Sequence, residues 1–177
     1  MDGRAWIETV IVEFRSCKDL SERAAAQVGD EDYFRATTDG TNTLAVLVKH
    51  MGGNLRSRWT DFLTTDGEKP DRHRELEFET EGKTRAEIEA IWQLGWQRCL
   101  DAIAALEPTD LERTVLIRSE PHAVVLAIHR GLAHAQYHAG QIVQLARHFT
   151  GDTWRSLSIP RGESEAFNAA MREKFGG

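Results

Sequence analysis

Apolar residues recur at three- and four-residue steps along five stretches of the chain, the spacing that gathers side chains on one face of an α-helix. In the first stretch Ile7, Val10, Ile11, Phe14, Cys17, Leu20 and Ala24 share a face, which predicts a helix from about Arg4 to Val28 with Gly29 as its stop. A second stripe of Leu44, Leu47, Met51, Leu55, Trp59 and Phe62 predicts a helix capped by Asn42 or Thr43 and ending near Thr64. Gly52 and Gly53 sit side by side in its middle, where each costs about 0.8–1 kcal/mol relative to alanine. Their pairing implies close approach of a neighbouring backbone or side chain. The third helix opens on Thr84-Arg85-Ala86-Glu87, a capping box, and buries Ile88, Ile91, Trp92, Gly95, Trp96, Cys99, Ile103 and Leu106 before Pro108.

A fourth helix is expected from about Pro121, a residue suited to a first helical position, to Phe149, with Gly151 beyond it. Its apolar face is Val124, Val125, Ile128, Leu132, Ala135, Ala139, Ile142 and Leu145. A shorter fifth helix covers roughly Glu163 to Phe175. Between the elements, Asp66 to Gly82 is polar, mixes charges of both signs and contains proline, which reads as a solvated surface loop. Thr114 to Arg118 is the one stretch with strand-like character. There are no internal repeats, low-complexity tracts or linkers. Four long amphipathic helices of similar length predict an all-α fold, a four-helix bundle with a short additional C-terminal helix, as a single domain over residues 1–177.

Composition narrows the function classes. A 41% hydrophobic and 28% charged sequence is ordinary for a soluble globular protein. No run approaches the ~20 apolar residues of a membrane span, and the start Met1-Asp2-Gly3-Arg4-Ala5-Trp6 lacks the pattern of a signal peptide, so a cytoplasmic protein without membrane contact is expected. The net charge of −6 argues against a nucleic-acid partner. Cys17 and Cys99 match no metal or redox spacing and fall on apolar stripes, which reads as small buried hydrophobes. Five tryptophans exceed what one small bundle needs to bury, a hint of a homodimer interface.

The candidate chemistry lies in the histidines. Of seven, His134 and His138 stand at i and i+4 on the apolar side of the fourth helix, pointing toward the bundle interior. His50 lies on the core-facing stripe of the second helix. Three imidazoles from two helices make a set of three nitrogen ligands with an open coordination position, as in catalytic rather than structural zinc sites. The structural alternative is that these histidines only fill the core with their hydrogen bonds satisfied. His73, His122, His129 and His148 are given structural or solvated roles. His122 is placed in the first turn of the fourth helix and His148 in its last.

The segment Leu132-Ala133-His134-Ala135-Gln136-Tyr137-His138-Ala139-Gly140-Gln141-Ile142 resembles the H-x-x-x-H-x-G-Q-I signature of the DinB-like (YfiT-like) superfamily, and His50 matches that superfamily's ligand on its second helix. Asn54 to Leu63, Asp66 to Pro70 and Ser158 to Phe167 are similar to one bacterial DinB-like branch of unknown function. The resemblance implies a four-helix bundle, often a homodimer, with His50, His134 and His138 holding a divalent ion, most commonly zinc or nickel, with iron or manganese as further options. Some superfamily members are thiol S-transferases or thiol-dependent isomerases, which implies a small-molecule substrate such as a low-molecular-weight thiol. Asn54, Gln141 and Arg161 are candidate supporting residues. Asn54 follows His50 by one turn, Gln141 is placed to fix an imidazole tautomer, and Arg161 sits in a loop that would bind an anionic group if it folded over the site. No general base is identified, because no carboxylate lies on the His134/His138 stripe.

Three readings follow. The chain is a metal-dependent enzyme of thiol-transferase or hydrolase type, a non-catalytic bundle that binds a metal or small ligand in stress response, or a structural bundle without a ligand. An open position beside a pocket marks the first, and a closed site without a cavity marks the second.

Overall fold

The structure is a computed structural model and describes residues 2–176. It is mostly helical: α1 (Gly3–Ala25), α2 (Asp30–Tyr33), α3 (Leu44–Trp59), α4 (Arg85–Ala104), α5 (Val124–Thr150) and α6 (Ser164–Phe175), with a hairpin of β1 (Thr114–Ile117) and β2 (Glu120–Ala123) between α4 and α5. Three helix starts are fixed by side chains that satisfy free backbone donors. Asp2 accepts from the Arg4 N–H, Thr43 accepts from the Val46 N–H at 3.1 Å, and the Thr84–Glu87 capping box forms in both directions.

The four long helices pack in a ring, α1 on α5, α5 on α3, α3 on α4 and α4 on α1. They enclose a core that includes Ile7, Phe14, Leu47, Met51, Trp59, Ile88, Trp96 and Ile128. The closest approach is between α3 and α4, and glycine permits it. A Cβ on Gly95 would lie 2.3 Å from the Gly52 carbonyl oxygen, and one on Gly52 would lie 2.7 Å from the Ile91 carbonyl. Gly53 faces a side chain instead, since a Cβ there would meet the Glu77 carboxylate at 2.5 Å. Both halves of the glycine pair thus answer to a neighbour. Gly140 does not: a Cβ there would meet no neighbouring group within 4 Å.

Several boundaries differ from the periodicity. The second predicted helix stops at Trp59 rather than near Thr64, because Asp61 turns the chain with φ of 48°. Phe62 still reaches the core from that turn. Pro121 does not open α5; it sits in β2 opposite Leu116, and the helix begins three residues later at Val124. Proline supplies no N–H, a loss that a two-stranded edge tolerates. His122 is consequently a buried strand residue rather than part of a first helical turn. The stretch from Asp66 to Gly82 carries a 3₁₀ turn (Arg74–Phe78) that packs on α3, so it is not simply a solvated loop.

Trp59, Trp92 and Trp96 are buried within the chain, and Trp6 and Trp154 are partly buried against the same core. The fold therefore absorbs the tryptophan surplus that suggested a dimer interface. Cys17 and Cys99 are buried free thiols; burial pushes Cys17 up to about 11 and Cys99 well above the ordinary thiol range. Neither is a nucleophile at neutral pH. No described helix is long and apolar enough to cross a membrane.

Candidate metal centre

α3 and α5 bring three imidazoles together. One ring nitrogen from each of His50, His134 and His138 lies within 4.8 Å of the others, with His50 and His138 buried and His134 partly so. His134 Nε2 and His138 Nε2 are 3.1 Å apart. Two nitrogens each ~2.0–2.1 Å from a tetrahedral ion would be separated by roughly 3.3 Å, so the pair is spaced for shared ligation.

The other nitrogens decide which face of each ring is free. His138 Nδ1 lies 2.8 Å from Gln141 Oε1, an acceptor, so Nδ1 carries the proton and Nε2 presents its lone pair. His50 Nδ1 lies 2.8 Å from Glu77 Oε2 and donates to it in the same way. Glu77 is held in turn by Arg72, whose Nε donates to Oε1 at 2.8 Å and whose second guanidinium nitrogen donates to Oε2 at 2.9 Å. This bidentate clamp is almost dry, with the Arg72 and Glu77 side chains 4% and 10% exposed. Burial alone would raise the Glu77 pKa. The hydrogen bonds from His50 and Arg72, with the Arg72 charge, outweigh it and hold the carboxyl below its usual range. The Phe78 ring stacks on His50 at 5.0 Å between centroids and covers its outer side.

Burial and the neighbouring His138 and His50 lower His134 to about 4, and burial lowers His138, with the Gln141 bond opposing it. Both rings are therefore neutral at pH 7, the state in which imidazole ligates a metal. The donor set is all nitrogen, which suits zinc, nickel, iron or copper better than magnesium or calcium.

A cavity of about 420 Å³ opens directly beside His50 and His134. Asn54, partly buried, stands in its wall. Arg161 does not: it is exposed in the turn before α6 and lines no part of the cavity. The cationic residues that do are Arg58, Arg72, Arg74, Arg118 and Arg130, and no carboxylate lines it.

Sequence reasoning missed Glu77 and these arginines. Glu77, Arg72 and Arg74 come from the stretch read as a solvated loop. Arg118 comes from the hairpin turn. A signal for the others was present: His50, Asn54 and Arg58 follow one another at four-residue steps on α3, and Arg130, His134 and His138 do so on α5. Of the remaining histidines, His73 and His148 are exposed, and His129 packs edge-on against Trp6 at 5.6 Å.

Neither the curated proteins nor the solved structures include a match to this chain. A family model does match, over residues 2–163, and the chain belongs to that family, described as protein of unknown function (DUF1572).

Proposed function

We propose that the four long helices form a bundle of the DinB-like kind that binds one divalent ion, zinc or nickel, through His50, His134 and His138, and that the protein is a metal-dependent enzyme of thiol-transferase or hydrolase type acting on a small molecule. The observation that carries this reading is the convergence of three imidazole nitrogens within 4.8 Å, two of them on rings whose far nitrogen is tied to an acceptor. Packing alone does not require imidazoles from two helices to bring one nitrogen each within 4.8 Å, and the 3.1 Å contact between His134 and His138 is close to the spacing that a shared ion would give.

An ion held there supplies Lewis acidity that makes a water or thiol nucleophilic at neutral pH. The chain's own residues do the rest. Gln141 and Glu77 fix the tautomers of His138 and His50, and such outer partners typically contribute 10–100-fold to metal affinity. Arg72 keeps Glu77 ionised, so the carboxylate stays an acceptor for His50 rather than a donor. Asn54 lies in the cavity wall one turn beyond His50, placed to hydrogen-bond a bound substrate. The open cavity beside two of the three histidines favours an enzyme over a closed, non-catalytic site.

Metal analysis of untagged protein tests the reading. About one ion per chain is expected, lost in His138→Ala; metal-free protein that also fails to bind added zinc would refute it.

A further inference from the structure

Arg58 is the anomaly of the cavity. It is partly buried near the C-terminal end of α3, and among the described residues its guanidinium makes no ion pair or hydrogen bond. Its charged neighbours are mostly other cations, Arg72, Arg130 and Arg118. The one carboxylate among those neighbours, Glu68, is already shared, accepting from Arg72 at 3.0 Å and from Arg118 at 3.3 Å. Desolvating a cation among cations without a counter-ion is unfavourable, and folded proteins keep such arrangements where a ligand supplies the missing charge.

The flanking arginines are held in place by devices that serve no obvious packing need. Arg118 and Ser119 form a two-residue hairpin turn with φ of 55° and 64°, a geometry usually left to Asn-Gly. The Asp66 carboxylate holds this turn, accepting from the Arg118 and Ser119 N–H groups at 2.8 and 2.6 Å. Arg130 donates to Nε2 of the buried His122, whose Nδ1 is tied to the Glu120 carbonyl at 2.9 Å. Glu120 itself is 3.9 Å from Arg130, too far for a direct hydrogen bond. The pocket wall thus carries five arginines, of which Arg72, Arg74 and Arg118 are paired with Glu77, Glu75 and Glu68, while Arg58 has no ion pair among the described residues.

We propose that this cavity is an oxyanion site, in which Arg58, flanked by Arg118 and Arg130, binds a carboxylate or phosphate group of a small molecule and presents the rest of it to His50 and His134. The anion site stands on the arginines alone; that its occupant is a substrate rests on the metal-enzyme reading. Guanidinium groups recognise both carboxylate and phosphate through paired N–H donors, and the apolar wall of Ile117 and Ala127 leaves room for a short carbon skeleton.

Isothermal titration of the chain, once stripped of metal and dialysed free of chelator and once with stoichiometric Zn²⁺, tests this with inorganic phosphate and succinate as probes. Saturable binding of at least one probe is expected in the metal-free sample, and the preferred probe identifies the group. Arg58→Gln is expected to weaken it about tenfold or more, and Arg130→Gln severalfold, while Arg147→Gln, which removes the same charge from an exposed position, leaves it unchanged. Arg58→Gln is also expected to melt no lower than the parent, because it removes repulsion rather than a bond. Absence of saturable binding by both probes overturns the proposal, as does equal weakening by Arg147→Gln. Zinc titration of the same samples separates the two claims: probe binding without zinc binding refutes the metal reading only, and zinc binding without probe binding refutes the anion site only.

Discussion

Glu77→Gln probes the link between the site and the segment that covers it. The substitution keeps the shape of the side chain and one carbonyl acceptor for His50 Nδ1–H, and it removes the charge that pairs with Arg72. Deleting one partner of a buried ion pair costs about 3–5 kcal/mol. Here Arg72 keeps its 3.0 Å bond to Glu68, and glutamine retains an acceptor, so a smaller loss of about 2–3 kcal/mol is expected. For a chain of this length that corresponds to a fall in Tm of roughly 5–10 °C, which leaves the protein folded at 25 °C. Zinc affinity should fall about 10–100-fold, because His50 loses the anionic partner that fixes its ring and raises its basicity. Thermal melting in EDTA isolates the first effect, and competition against a chromophoric chelator at 25 °C measures the second. Loss of stability with zinc affinity within twofold of the parent would reduce Glu77 to a structural residue. Unchanged stability would refute the buried Arg72–Glu77 clamp itself.

Other outcomes follow from the packing and the hairpin. Gly95→Ala drives a Cβ to 2.3 Å from a backbone oxygen that no rotamer change can move, and overpacking of about 1–3 kcal/mol should exceed the ~1 kcal/mol gained in helix propensity; urea melts showing equal or greater stability would contradict the close α3–α4 contact. Asp66→Asn replaces a carboxylate that accepts three backbone N–H groups and should cost about 1–2 kcal/mol, discounted for its partial exposure. Those bonds lower the Asp66 pKa, so its contribution is complete above the ordinary aspartate range and is lost as pH falls through the lowered value. The gap between parent and variant should therefore narrow in acid, and a gap independent of pH would refute it. With the tryptophans accounted for inside the fold, the homodimer rests on the DinB-like resemblance alone, and exposed Phe167, Met171 and Phe175 on α6 are a face available to a second copy; a monomer by light scattering at micromolar concentration would refute that expectation.

The sequence was most legible where local physics decides the outcome. Apolar spacing placed the four long helices, the Thr84–Glu87 box fixed one start to the residue, and the choice between Asn42 and Thr43 for another was settled only by the structure, which caps with Thr43. The glycine pair announced close packing, although only the fold shows that Gly52 meets a backbone and Gly53 a carboxylate. The histidine trio was legible because each ring sits on a core-facing stripe. What escaped was non-local or ran against the apolar stripe. Following His134 backward by three-residue steps leads to Gly131 and Ile128 and passes over Arg130, four residues back. Glu77 and Arg72 lie in a charged stretch whose composition is that of a solvated loop. Each charge there finds its partner only when the segment folds onto α3, and nothing in its spacing announces that. Pro121 misled for a related reason: its fixed φ suits a first helical turn and an edge strand alike, and pairing with Leu116 decided between them.

The most direct test of the account is a zinc titration of untagged, EDTA-stripped protein alongside its His50→Ala, His134→Ala and His138→Ala variants. One ion per chain with submicromolar affinity is predicted for the parent, weakened at least about 100-fold by each substitution. Weak, non-stoichiometric zinc binding that survives all three substitutions would contradict the centre outright.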